Sequence, residues 1–305
     1  MLTDFSIKLL AALRDRQWYA RTGRKGRVRV PGARRPTQCS VANVYSAHRA
    51  ELVSNGQSSE PGCVQVRNSK IRSAITSGSK AYGLTLTFPE PTIAEWAGYL
   101  GFDFLHLDME HGVFDWESAE MMCRAADMHG MTCTARIPNT ETDTILRAFD
   151  RGLMGILCPH VDNAEQAQRI ASAARFGPAG ERSFGTSRGR DYGLTGKSPA
   201  QYMAEFNEQV TVAIQIETKH AVDNIDDILR VDGIDLITFG PQDLAQSLGH
   251  PGHADHPDVL NAMEHVRSRV HAAGRLMAED VERGINLVQW LPSKLKDWLD
   301  SAKSN

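Results

Sequence analysis

The chain has 305 residues, 41% hydrophobic and 23% charged, enough for a large α/β core and too much for a disulfide-stapled miniature scaffold. Its five cysteines, Cys39, Cys63, Cys123, Cys133 and Cys158, form no C-x-x-C pair, so neither a zinc knuckle nor a disulfide framework is indicated, and a reducing compartment is expected. No apolar run approaches the roughly 20 residues that cross a bilayer, and the net charge of −3 hides a split.

Residues 1–67 carry 12 Lys+Arg against 4 Asp+Glu, and residues 68–305 carry 22 against 33. The chain therefore divides into a basic leader, 1–67, expected to be mostly disordered, and a folded domain, 68–305. Residues 1–13 begin amphipathically and the arginine bias has the flavour of a mitochondrial transit peptide, although Asp4 and Asp15 do not suit one. A nucleic-acid-binding arm would interleave aromatics, and only Trp18 and Tyr19 are offered. A solvated extension of a cytoplasmic protein is the reading preferred, with no nucleic acid and no membrane as partner.

From residue 80 onward one unit repeats: a short β-rich run, a polar turn, a helical pattern. Strands are expected at 81–87, 102–108, 132–137, 155–161, 210–216, 234–239, 275–277 and 285–290. Helices are expected at 92–100, 116–129, 140–150, 164–176, 221–231, 257–273 and 293–302. Eight β/α units with no Gly-rich dinucleotide fingerprint after the first strand predict a (β/α)8 TIM barrel. Only residues 278–284 separate strands seven and eight, and a βαβ crossover needs about a dozen, so helix seven is expected to be shortened or missing.

A barrel builds its active site at the C-terminal ends of its strands, and those ends are polar here. Strand two runs into Asp108 and His111, strand three ends in Arg136, strand four is followed by His160, strand five runs through Gln215 into Glu217, and strand six runs into Asp243. Any one of these has an ordinary structural explanation, as a helix cap or a hydrogen-bonded scaffold member. Glu217 and Asp243, on adjacent strands, offer two carboxylates to one hard divalent ion, Mg2+ or Mn2+, with Co2+ as a further candidate. Arg136 presents a fixed fork to a carboxylate or ketone oxygen. A histidine, His111, with Asp108 three positions earlier to orient it, can move protons near neutrality. Together they describe a site that binds a keto acid on a metal and stabilises its enolate.

These residues resemble a known family. Asp108-Met109-Glu110-His111, Ala135-Arg136-Ile137-Pro138, Gly177-Pro178-Ala179-Gly180-Glu181-Arg182, Gln215-Ile216-Glu217-Thr218-Lys219 and Gly240-Pro241-Gln242-Asp243-Leu244, with Ser247-Leu248-Gly249 after it, form an ordered series over residues 68–275. The series is similar to the HpcH/HpaI aldolases, metal-dependent class II pyruvate aldolases. The resemblance implies a lyase that splits a 4-hydroxy-2-oxo acid into pyruvate and an aldehyde. It implies Glu217 and Asp243 as metal ligands, Arg136 on the pyruvyl oxygen, and His111 paired with Asp108 as base. It also implies that backbone amides around Gly240, Pro241 and Gln242 hold the carboxylate, that Gln215 stands behind the ligands, and that the protein is a homo-oligomer, a hexamer with a swapped last helix.

Three alternatives compete. A Schiff-base aldolase would need a desolvated lysine, and Lys219 is the one near a strand end. An enzyme like macrophomate synthase would make its enolate by decarboxylating oxaloacetate. A relative that binds keto acids without turnover would keep the fold alone. The segment 176–208, rich in Gly, Arg and Ser, is expected as a rim loop. In it Arg188 and Arg190 are read first as solvated charges and second as contacts for an acidic substrate tail. His250, His253 and His256 cluster in a Gly/Pro loop, exposed or able to touch a metal.

Overall fold

The computed structural model describes residues 67–304. The leader's expected disorder, its amphipathic start, Cys39 and Cys63 lie outside the described residues. Arg67 is bound into the domain, with its guanidinium 2.7 Å from both Asp127 and Asp191.

Helix α1 (Lys70–Ser77) starts where the Ser69 hydroxyl accepts the Arg72 amide at 3.1 Å. It stops at Gly78, whose φ of 65° would strain any residue with a side chain. The expected alternation follows: β1 (Ala81–Leu86), α2 (Pro91–Leu100), β2 (Phe104–Asp108), α3 (Trp116–Asp127), β3 (Thr132–Arg136), α4 (Thr142–Asp150), β4 (Gly155–Cys158) and α5 (Ala164–Ala174). Further along come α6 (Pro199–Gln209), β5 (Thr211–Ile216), α7 (Lys219–Asp223), α8 (Ile225–Ile228), β6 (Leu236–Phe239), α9 (Pro241–Ser247) and α10 (Pro257–Ala272). The chain closes with β7 (Leu276–Met277), α11 (Ala278–Val281), β8 (Glu282–Asn286) and α12 (Leu287–Lys303).

Strands covered on both faces should be apolar throughout, and Leu105, Leu107, Ile214 and Ile216 are all fully buried. The helices are one-sided: α4 buries Thr144, Ile145, Ala148 and Phe149, the three-and-four spacing of a single face. Every pairing is parallel, in the order β7-β6-β5-β4-β3-β2-β1-β8. The fold is the expected α/β barrel, drawn as a curled eight-stranded sheet whose ends are β7 and β8.

Helix seven is reduced to one turn, α11, as its short span predicted. The eighth strand begins earlier than expected. Glu282 pairs with Ala81 and Asn286 with Thr85, while Leu287–Lys303 is helical. One helical turn cannot carry the chain back to lie beside β7, so β8 finds its partner in β1, and no ladder joins β7 to β8 among the described residues. Two other segments were misread. The 176–208 stretch is not all loop, because a Ser198/Gln201 capping box opens α6, which buries Tyr202 and Phe206. The helix expected at 221–231 is broken at Asn224 into α7 and α8.

Phe149, Phe176 and Phe206 form an edge-to-face group with centroids 5.4 and 5.5 Å apart, and the Arg182 guanidinium lies 4.2 Å from the Phe206 ring. Inside the barrel the packing is looser and more polar. A cavity of about 240 Å3 is lined by Thr85, His106, Thr134, Thr211, Thr238 and Glu282 among others. His106 Nδ1 stands 2.9 Å from Thr134 Oγ1. Burial holds this imidazole down near 4, with Arg136 acting the same way and Asp108 opposing, and burial pushes the Glu282 carboxyl up to about 7.

Candidate active site

Parallel registry sets the first contact. Asp108 ends β2 and Arg136 ends β3, and the two are direct ladder partners. Their side chains form a two-pronged pair, Arg136 Nε to Asp108 Oδ1 at 3.0 Å and Nη2 to Oδ2 at 2.5 Å. Asp108 is 6% exposed. Its burial alone would raise its carboxyl, but the Arg136 bond, the His111 amide and the Arg136 charge together hold it below the usual carboxylate range. Burial pulls Arg136 down, and its pairing with Asp108 and the charge of Glu110 more than offset this.

The turn after β2 then does two things. It brings Glu110 Oε2 to 3.2 Å from Arg136 Nη1, and it sends the His111 ring outward, 66% exposed. Gly112 is required here, because a Cβ would lie 2.0 Å from the Asp108 carbonyl oxygen. The expected pairing of the His111 ring with Asp108 is not what the fold makes: Asp108 Oδ1 accepts the His111 backbone N–H at 3.2 Å. The ring nitrogen Nε2 stands 3.9 Å from Glu110 Oε2. The reason is the turn itself, whose backbone amides claim the carboxylate first.

Across the rim, Glu217 follows β5 and is 2% exposed. Its Oε1 accepts the His160 backbone N–H at 2.6 Å and faces His160 Nδ1 at 2.9 Å, and its Oε2 accepts from Gln215 Nε2. The other ring nitrogen, His160 Nε2, reaches Glu110 Oε1 at 3.2 Å. One imidazole thus bridges two carboxylates, at a residue whose backbone is in the left-handed region (φ 55°). Such a backbone in a residue other than glycine is held only where its surroundings demand it.

The loop after β6 touches this group at Gly240. A Cβ there would come within 2.4 Å of Glu217 Oε2, so the backbone lies against the carboxylate. Pro241, Gln242 and Asp243 are exposed on the first turn of α9, and Asp243 has no hydrogen bond or ion pair among the described residues. Of the amides expected to hold a carboxylate, Gly240 N–H is spent on the Ile216 carbonyl at 3.2 Å and Pro241 has none. That leaves Gln242.

The structure therefore brings together Asp108, Arg136, Gln215, Glu217 and Gly240, and leaves His111 and Asp243 at the mouth. It adds Glu110 and His160, which the sequence reading did not assign roles. Their signal was available: each lies within two residues of a strand's C-terminal end. Lys219, the Schiff-base candidate, is 61% exposed and paired with Asp223 at 2.5 Å, not desolvated. Arg188 is neither solvated nor at the rim; it is buried, its Nη2 on Asp127 Oδ2 at 2.5 Å. Arg190 lies 4.4 Å from the Phe184 ring.

A parallel α/β barrel with carboxylates and a locked arginine at its C-terminal rim defines an enzyme built to manage negative charge on a small substrate. The HpcH/HpaI aldolase/citrate lyase family matches residues 82–291, past the end of β8. A 5-keto-4-deoxy-D-glucarate aldolase of Shigella boydii serotype 18 is 34% identical over 207 residues, 68% of this chain and 79% of that one. The HpcH/HpaI aldolase of Desulfitobacterium hafniense DCB-2 has a similar structure, with a TM-score of 0.71 at 25% identity over 77% of this chain and 96% of its own. A family protein from Burkholderia cenocepacia J2315 gives 0.71 at 26%, over 77% and 100%. The chain belongs to the HpcH/HpaI aldolase/citrate lyase family, and it is a carbon–carbon lyase of the metal-dependent aldolase kind.

Proposed function

We propose that this enzyme cleaves and forms 4-hydroxy-2-oxo acids, with pyruvate and an aldehyde as the other side of the equilibrium, and that Glu217 and Asp243 hold its divalent ion. The observation that carries the ion is a count of charge. Asp108, Glu110 and Glu217 converge on one rim, where Arg136 is their fixed cation and His160 the bridging ring. The imidazole aside, three carboxylates face one guanidinium. Buried charges in that imbalance are unfavourable unless another cation compensates, and a divalent ion would supply that compensation. His160 Nδ1 faces Glu217 Oε1 and its Nε2 faces Glu110 Oε1, so the ring fills the space between the two carboxylates. It stands where a cation is wanted. Its side chain is 62% exposed, so it has room to swing away.

The donor set fits a hard ion such as Mg2+ or Mn2+, which takes carboxylate oxygens and keeps water. When bound, the ion supplies Lewis-acid polarisation of the substrate's 2-oxo group. The remaining roles belong to the chain. Arg136 has five N–H donors, of which Asp108 and Glu110 engage three. The other two would donate to the 2-oxo oxygen as it gains charge. His111, exposed at the mouth, takes the proton of the C4 hydroxyl. The electron pair of the C3–C4 bond then passes to the pyruvate fragment as its enolate, the aldehyde leaves, and the proton that His111 took is returned to C3. Gln215 holds Glu217 in orientation, and the Gln242 amide receives the substrate carboxylate.

5-Keto-4-deoxy-D-glucarate, the compound in the Shigella relative's name, is a 4-hydroxy-2-oxo diacid when numbered from its keto-acid end and is the substrate to test first. Assembly as a homo-oligomer is part of this reading. Its support is α12, which exposes Leu291, Leu295, Trp298 and Leu299 and buries no residue. The deciding experiment is pyruvate release from this substrate after EDTA treatment, then with Mn2+ or Mg2+ restored. Activity should vanish and return, and Glu217→Gln should lose several kcal/mol of transition-state stabilisation, on the order of 1000-fold in kcat. Turnover indifferent to EDTA, with borohydride trapping pyruvate on Lys219, would overturn the proposal.

A further inference from the structure

A second group of ligating side chains lies away from the rim, in the connection between α9 and α10. The sequence His250-Pro-Gly-His253-Ala-Asp-His256-Pro-Asp258 packs three histidines and two aspartates into nine residues. Folding selects three of them. His250, His256 and Asp258 each offer one ligand atom, and those atoms all lie within 4.8 Å of one another. Among the described residues no other group of three or more His, Cys, Asp or Glu meets that test.

The geometry is held by backbone. His250 N–H donates to Ala245 O at 2.8 Å, His253 N–H to His250 O at 3.0 Å, and His256 N–H to His253 O at 2.9 Å. Leu244, Ala245 and Val259, all fully buried, pin the two helices on either side. His256 is the cap of α10, and Pro257 fixes the first helical residue. His250 Nε2 stands 2.9 Å from Asp258 Oδ2, His256 Nδ1 stands 3.7 Å from the same oxygen, and the two rings are stacked with centroids 3.5 Å apart. Ligand pairs on a tetrahedral ion with bonds of about 2.0–2.1 Å are separated by roughly 3.3 Å, so the separations suit an ion, and closing on it turns one imidazole out of the stack so that both nitrogen lone pairs point at the metal.

We propose that His250, His256 and Asp258 form a second divalent-metal site, distinct from the rim carboxylates, for a borderline ion of the Zn2+ class. Two imidazoles and one carboxylate suit zinc or its neighbours better than Mg2+, because imidazole nitrogen is a poor ligand for hard alkaline-earth ions. Water completes the shell. Binding exchanges the 3.2 Å bond from the Asp258 amide to His256 Nδ1 for a bond to the ion. The ion staples the end of α9 to the start of α10, and α9 begins beside Gly240, the residue that packs on Glu217. Its role is to brace that loop.

The test strips the full-length chain with EDTA and titrates Zn2+, and separately Co2+ as a coloured probe. Wild type should show two classes of site. Glu217→Gln should lose one and keep the other, with its visible Co2+ band. His250→Ala should lose that band and bind at the second site at least about 100-fold more weakly, the upper end of what loss of a mere outer-shell partner costs. Asp258→Asn, which preserves the shape of the first turn, guards against misfolding of the alanine variant and should behave the same way. If either variant, folded by circular dichroism, keeps the wild-type Zn2+ stoichiometry and Co2+ spectrum, the site does not exist.

Discussion

The arc from β2 to β6 and the closing segment from β7 to α12 are built to different standards. The arc's strands are four to six residues long, Leu105, Leu107, Cys133, Ala135, Val212, Ile214 and Ile216 on them are buried, and α3 to α6 each bury an apolar face. The closing segment has a strand of two residues, a helix of one turn, and a terminal helix with no buried residue. Every residue of the candidate site sits on the arc or on the loops at its strand ends. A rim needs rigid strands beneath it, and the chain has concentrated its packing there. The looser closure is tolerated because β8 still satisfies β1, whose edge would otherwise be bare.

That contrast can be broken by mutation. Phe206→Ala in the arc removes a fully buried ring from the Phe149–Phe176 group and should cost about 4 kcal/mol in urea unfolding. A loss below about 1 kcal/mol would mean that the arc is not the better-packed region. Arg136→Ala should lower kcat/KM by roughly 100- to 1000-fold, as expected for losing a donor aimed at developing charge, while leaving the far-ultraviolet circular dichroism unchanged. The same spectrum with full activity would remove Arg136 from the chemistry.

The barrel interior supplies a smaller, pH-dependent effect. Glu282 releases its proton near 7 in the folded protein and near 4.5 in the unfolded chain, so between those values the folded state binds more protons. Stability contributed by the protonated form is complete below about 4.5 and is lost as pH rises through 7, by about 3 kcal/mol at most. His106 acts oppositely: its folded value near 4 against 6.5 unfolded makes stability fall as pH drops through that window. Glu282→Gln should therefore raise Tm at pH 8 and leave it little changed at pH 4.5. An equal shift at both pH values would show that Glu282 is solvated. The smallest effect is expected at the tail: Leu295→Ala and Trp298→Ala, on the exposed face of α12, should change monomer stability by under about 0.5 kcal/mol. The same pair should instead weaken self-association, read by sedimentation, because α12 is the proposed contact between copies; unchanged association would remove α12 from that contact.

Much of this was legible in the residues because it depends on local chemistry. Alternating β-rich and helical runs, with a Ser69 cap here and a Gly78 stop there, define repeating units, and repetition of parallel units leaves few architectures. Asp108, Arg136, Glu217 and Asp243 could be read as rim residues because strand-end position is a matter of counting. The failures are equally specific. Strand eight lies earlier than the apolar run 285–290 suggests, because its register is decided by its partner β1 and Leu287–Lys303 is helical. His111 was paired with Asp108 by proximity in sequence, whereas the turn's own amides occupy that carboxylate.

The amino-acid sequence by itself determined the α/β barrel, the arc of polar strand ends and the short seventh connection, because periodicity, caps and chain length act over a few residues. Only the tertiary structure decided that His160 bridges Glu110 and Glu217, that Gly240 lies against Glu217, and that β8 pairs with β1 but not β7. Those are contacts between segments tens of residues or more apart, set by register and by which charges must be compensated once water is excluded.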